Sequence, residues 1–264
     1  MKITNWTQLP EDFKFDYSLQ QLQEVWEQVH AGDQEIFPLD YEGDEELLNK
    51  QAQAWLHYHN GDFQKAAQIA HDLGEDGSVI LAKSIAAYCD YLCENEDEAI
   101  ELLKSCMEIC ETAAEQQTDY ANAQFVCALI MGRYSQRISI TKALSQGLGG
   151  KIKSYLEATL ELEPNHAEAH TAMGLYHAEI IDKVGTMLGG LTYGAKKPIA
   201  LKHFETSLEL TPETAIAAIE YANGLTLLKG SNDKIEELMS HAANCEAFDA
   251  LQNCDINFAN EQLE

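Results

Sequence analysis

The sequence predicts an all-α fold of stacked helical hairpins. Apolar residues recur at helical spacing through most of the chain, proline is scarce, and no segment sustains the strict alternation of a half-buried strand. Turn-forming residues also fall at regular intervals, which spaces the helices into pairs.

Ser18 followed by Gln21 reads as a capping box, and Leu19, Leu22, Trp26 and Val29 then form one apolar stripe, ending before Ala31-Gly32-Asp33. The acidic segment from Phe37 to Asp44, with Pro38 and Gly43, reads as a loop leading into a helix over 45–59. In that helix Leu48, Ala52, Trp55 and Leu56 face inward. Asn60-Gly61-Asp62 then turns the chain, and Phe63, Ala66, Ala67, Ala70 and Leu73 make the next stripe. Ala99 follows Ala66 after 33 residues. Further on, the run from Tyr155 through Pro164 to His177 carries a Leu-Glu-Leu-x-Pro-x-x-Ala signature, and Phe204 to Pro212 repeats its first part.

Gly61-Asp62-Phe63 with Ala66 resembles the centre of a tetratricopeptide (TPR) repeat, where small residues let two antiparallel helices approach closely, and the 33-residue spacing lies near that family's period. The resemblance covers about residues 45–245 and implies a right-handed TPR-like helical-hairpin solenoid with capping helices at both ends. As one α-solenoid domain over 1–264, it divides into an N-terminal cap segment (1–43), two TPR-like hairpins (44–112), two enlarged hairpins with Gly-rich insertions (113–212), and a last hairpin with a C-terminal cap (213–264). The enlargement is a departure from the family: Pro164 to Pro212 spans 48 residues, and both enlarged segments carry Leu-Gly-Gly and lysines. Either those glycines break a long helix into two packed pieces, or they let the insertion fold over an edge of a groove. The C-terminal half is similar to a bacterial TPR branch that includes the T-component of tripartite ATP-independent transporters and regulators of microtubule dynamics. That likeness implies a scaffold or ligand-associated protein with no reaction attached.

Composition narrows the function classes. With 264 residues and 45% apolar content the chain can build an ample core. The N-terminus shows no secretory signal or anchor, and no stretch approaches the roughly 20 apolar residues that span a bilayer, so the expectation is a cytoplasmic protein without a membrane partner. Seven cysteines, an odd set, suit reduced thiols. A formal charge of −27 argues against nucleic acid, whose phosphates demand a basic face. The charge is uneven: residues 133–202 are +3 and the remainder −30, which is either drift in a solvated surface or a locally basic site for an anionic group.

Stacked hairpins leave a concave surface lined by the first helix of each repeat, the default binding surface of such folds. Glu168, Thr171, Leu175 and Glu179 are expected on that side of the 167–179 helix, with Ile219, Asn223 and Thr226 in the corresponding helix after Thr214. Lys183, Tyr193, Lys196 and Lys197 would stand near a bound anion. The Lys/Asn/Arg set with which some TPR proteins clamp a peptide carboxylate is missing.

Catalytic and metal chemistry find little footing. His166, His170 and His177 share a helix face but lack the His-Glu-x-x-His order of zinc hydrolases. Cys89/Cys93 and Cys106/Cys110 lie too far apart along an antiparallel hairpin for one ion and read as core residues, as does Cys127. The acids at Glu94–Glu98 suit a helix start. The reading is therefore a non-enzymatic module, without cofactor or metal, that binds a peptide or protein partner in its groove. The alternative is a small-molecule protein whose basic insertions close over an acidic metabolite or lipid head group. A homo-oligomer is left open.

Overall fold

The structure is a computed structural model and describes all 264 residues. It is entirely helical and divides into two compact units, Met1–His30 with Gln34–Ser139 and Asp249–Leu251, and Ala31–Asp33 with Ile140–Phe248 and Gln252–Glu264.

The first unit holds α1 (Leu19–Glu24), α2 (Trp26–Val29), α3 (Glu45–His59), α4 (Phe63–Asp72), α5 (Ser78–Tyr91), α6 (Glu96–Gln116) and α7 (Ala121–Arg137). Local chemistry sets most of these boundaries. The capping box of Ser18 and Gln21 is formed as expected, with both reciprocal hydrogen bonds. The helix it opens is interrupted, however: Val25 leaves helical geometry at φ −105° and ψ 7°, and separates α1 from α2. Asp44, Asp62 and Asn95 cap α3, α4 and α6 by accepting backbone N–H groups, and Glu96, Asp97 and Glu98 fill the first turn of α6, where the helix dipole favours acids. Ala66, Ala67, Ala70 and Ala99 are buried, so α4 and α6 can approach their neighbours closely. Gly77 is required where α4 passes into α5, since a Cβ there would stand 2.0 Å from the carbonyl oxygen of Ala70. From Ser78 to Cys89, α5 is buried throughout.

Two polar assemblies pin the ends of this unit. His59 bridges Asp249 (Nδ1 to Oδ2, 2.8 Å) and His30 (Nε2 to Nε2, 3.1 Å); all three side chains are buried, and the two imidazoles pack against Trp26 and Trp55. The Glu35 carboxylate accepts hydrogen bonds from the Tyr120 hydroxyl and from Asn122 Nδ2 (2.7 Å), while its main-chain oxygen accepts from Trp26 Nε1 at 2.7 Å.

The second unit holds α8 (Ile140–Ser145), α9 (Leu148–Leu162), α10 (Ala167–Val184), α11 (Thr186–Tyr193), α12 (Lys197–Leu210), α13 (Ala215–Leu227), α14 (Asn232–Ala243) and α15 (Ala250–Leu263), whose first residues count with the first unit. α10 with α12 and α13 with α14 are the hairpins, and α10 also packs beside α13. Phe204 is the centre of the core. Its ring is fully buried between two glycines on neighbouring helices, Gly174 of α10 and Gly224 of α13, and stacks on Tyr221 with centroids 5.2 Å apart.

Both Gly-rich insertions are helical. Leu148-Gly149-Gly150 opens α9, and Leu188-Gly189-Gly190 lies inside α11. These glycines serve close approach: Gly149 meets the Tyr193 ring and Gly189 meets Ile180.

Candidate interaction face

On α10, Glu168, Leu175 and Glu179 follow one another at intervals of seven and four, which places them on one face. All three are half-buried while Met173, Tyr176, His177 and Ala178 are turned into the protein. Leu175 packs its inner edge on the cluster around Ile219, Ala222 and Leu225 of α13. Glu168 is tied at its backbone, donating its N–H to the carbonyl of Gly32 at 3.0 Å. Glu179 accepts from Lys183 Nζ at 3.1 Å.

On α13, Asn223 is half-buried and donates to Glu220 Oε2 at 3.0 Å, while Thr226 is exposed and its hydroxyl satisfies the Ala222 carbonyl at 3.0 Å. Ile219, at the same register, is buried and belongs to the core. The two helices thus present one partly accessible apolar side chain, Leu175, among carboxylates and amide or hydroxyl groups.

Thr171 lies elsewhere. Its side chain is buried and meets Ser207 Oγ of α12 at 2.6 Å. Because Ser207 donates onward to the Ala167 carbonyl (2.9 Å), Thr171 is the donor to Ser207, and the chain of hydroxyls seals the α10–α12 hairpin.

Among the insertion residues, Lys197 Nζ donates to the carbonyl of Leu228 at 2.8 Å and so caps the C-terminus of α13. The Tyr193 carbonyl accepts from the Tyr176 hydroxyl at 3.2 Å. Lys183 is paired with Glu179, and Lys196 is exposed. Three of these four residues therefore serve the fold's own hydrogen bonds.

The histidines part company. His166 caps α10, its Nδ1 accepting the Ala169 N–H at 3.1 Å. His170 pairs instead with His203 of α12, a residue absent from the sequence-based candidates, with Nδ1 atoms 2.8 Å apart. His170 Nε2 faces the Pro164 carbonyl at 3.0 Å and must donate to it, so His170 Nδ1 accepts the proton held by His203. His177 stacks on His203 with centroids 6.3 Å apart, and its own Nδ1 is buried without a partner. Burial, reinforced by Lys153, pushes His177 down to about 4, and burial reinforced by His170 and His177 does the same to His203. Both rings are neutral at pH 7. No group of three or more His, Cys, Asp or Glu side chains is arranged to hold a metal ion.

All seven cysteines are free thiols. Cys106 and Cys110 place their sulfurs 3.8 Å apart inside α6, and Cys127 of α7 is buried as well. Hydrogen bonding between Cys106 and Cys110 and burial hold the Cys110 thiol well above the ordinary range, so it is no ready nucleophile.

Residues 50–247 match the model of the family described as Regulator of microtubule dynamics protein 1-3, which covers most of the chain. This chain belongs to that family. The match begins within α3 and ends beyond α14, so it contains α10, α13 and both insertions. Among solved structures, the chain is similar to a thermophilic TPR protein from Thermus thermophilus, at 14% identity and a TM-score of 0.59, covering 81% of this chain and 99% of that one. At such identity the likeness speaks for the TPR-like helical fold. No curated protein matches. No helix is long and apolar enough to cross a membrane.

Proposed function

We propose that this member of the family is a non-catalytic interaction module that binds a peptide or protein segment along the face shared by α10 and α13. The observation that carries the proposal is the position of Leu175. It is half-buried in the middle of the face, with Glu168 and Glu179 on its own helix and Asn223 and Thr226 on the next, a mixed surface suited to an extended or helical segment. Within the α10–α12 hairpin Thr171 and Ser207, and His170 and His203, spend hydrogen bonds on one another. The family's description, regulation of microtubule dynamics, fits a protein partner. Free thiols throughout suit a reducing cytoplasm.

The test is quantitative affinity capture from the source cells with the wild-type chain and a Glu179→Lys/Thr226→Arg variant. Both changes fall on side chains with access to solvent, so helicity should persist. A protein partner recovered by the wild type and reduced at least about tenfold in the variant is the expected result. Equal recovery would remove the face from the account.

A further inference from the structure

The second insertion displays an apolar ridge that the fold does not use. On α11, Met187 is 85% exposed, Leu188 54% and Leu191 88%. They lie at positions one and four apart and so share a side of the helix. The other side is fastened down: Gly189 is buried against Ile180 of α10, and Tyr193 lies against Gly149 of α9. The ends are set by Gly185 at φ +82° and Gly194 at φ +69°, backbone conformations that glycine supplies without strain. α11 is thus held by one side and offers the other to its surroundings as a protruding edge.

Lysines bracket that edge. Lys183 sits in the last turn of α10, just before Gly185, and Lys196 and Lys197 follow Gly194. Lys153 Nζ stands 3.7 Å from the position a Cβ would take at Gly194. Lys183 and Lys153 are offset by Glu179 and Glu157, whereas Lys196 is exposed and makes no ion pair. The ridge therefore lies within the stretch of positive balance, in a protein of net charge −27.

We propose that α11 is a peripheral anchor for an anionic lipid surface, in which Met187, Leu188 and Leu191 enter the boundary between head groups and acyl chains while Lys196 faces the head groups. The ridge itself chooses the occupant. Side chains exposed to this degree occupy no groove, and a deformable interface takes them without a preformed pocket, as it takes other amphipathic helices. A second copy of the chain would bring the same lysine bracket against itself, and a rigid acidic partner would have to supply the cavity. The acidic body does not forbid the approach, because charges beyond about 8–10 Å are screened at physiological salt and the local lysines decide. Such an anchor is reversible and distinct from a spanning helix. It rests on the exposed ridge of α11 and on Lys196, neither of which belongs to the α10–α13 face.

The test is co-sedimentation of the full chain with phosphatidylcholine vesicles prepared with and without phosphatidylserine, at low and high salt. The wild type is expected to sediment with the phosphatidylserine vesicles and to be released by salt. Met187→Ser/Leu188→Ser/Leu191→Ser and, separately, Lys196→Glu should each lower partitioning at least roughly tenfold with an unchanged circular dichroism spectrum. No sedimentation of the wild type, or equal sedimentation of the triple variant, would overturn the anchor. So would a wild-type dimer in light scattering that the triple variant abolishes without any vesicle binding, since the ridge would then be a contact between copies.

Discussion

Replacing Gly174 by alanine adds one methyl group to the interior of α10, a change that in an ordinary helix stabilises by about 0.5–1 kcal/mol. Here the new Cβ would stand 2.7 Å from Cε1 and 2.8 Å from Cδ1 of Phe204, closer than such atoms pack. The ring cannot retreat. It is fully buried, stacked on Tyr221, and on its far edge a Cβ at Gly224 would lie 2.3 Å from Cζ. Overfilling a packed site costs about 1–3 kcal/mol, so after the helix-propensity gain Gly174→Ala should destabilise by roughly 0.5–2 kcal/mol. Gly132 in α7 is the control, because a Cβ there meets nothing within 4 Å, and Gly132→Ala should stabilise by about 0.5–1 kcal/mol. The same methyl thus carries opposite signs at two helix positions. Urea and thermal unfolding followed by circular dichroism read both, with about 2–4 °C per kcal/mol expected for a domain of 150–250 residues. A Gly174→Ala protein as stable as the wild type would refute the packing of Phe204 described above.

Three further outcomes follow from the side-chain chemistry. His177 and His203 titrate near 4 in the fold against about 6.5 when free, so the unfolded chain binds their protons first as pH falls. Their contribution to stability is whole above pH 6.5 and is withdrawn toward pH 4; His177→Gln/His203→Gln should flatten the melting-temperature profile in that window relative to wild type, and parallel profiles would show that the rings are not buried neutral. Glu35→Ala removes the acceptor for Tyr120 and Asn122 and should cost about 2–4 kcal/mol, read as a lower urea midpoint, whereas an unchanged midpoint would mean the N-terminal segment is held by other contacts. In a native thiol titration, Cys93 should react first, Cys245 more slowly because burial and Glu213 push its thiol up, and the five buried cysteines only on unfolding; fast reaction of all seven would contradict the burial of Cys106, Cys110 and Cys127.

Much of the fold was legible in the sequence because its signals are local. The capping box at Ser18, the turn at Asn60-Gly61-Asp62, the buried pair Ala66 and Ala99, and the enlargement between Pro164 and Pro212 each depend on a few neighbouring residues. What sequence reasoning missed depends on distant partners. The interruption at Val25 does not disturb the apolar stripe of Leu22 and Trp26, so periodicity passes over it. Glu35 finds Tyr120 and Asn122 some 85 residues away, and His203 meets His170 across a hairpin whose insertion hides the register. Thr171 stands at the edge of the α10 face, where a helical projection does not decide between groove and hairpin interior; its hydroxyl settles inward because Ser207 is there to receive it. For the Gly-rich insertions the sequence left two readings open, packed helical pieces or a fold-over at the groove edge; glycine disfavours helices, and it is the approach of Tyr193 and Ile180, invisible in the sequence, that rewards the helical one.

The most direct test of the central claim is site-specific photo-crosslinking from the proposed face in the source cells, with a photoreactive residue at Glu179 of α10 and a control at Glu209, exposed on α12. A discrete protein adduct is expected from position 179 and none from position 209. Adducts of equal yield from both positions, or none from 179 while the protein is folded and expressed, would contradict it.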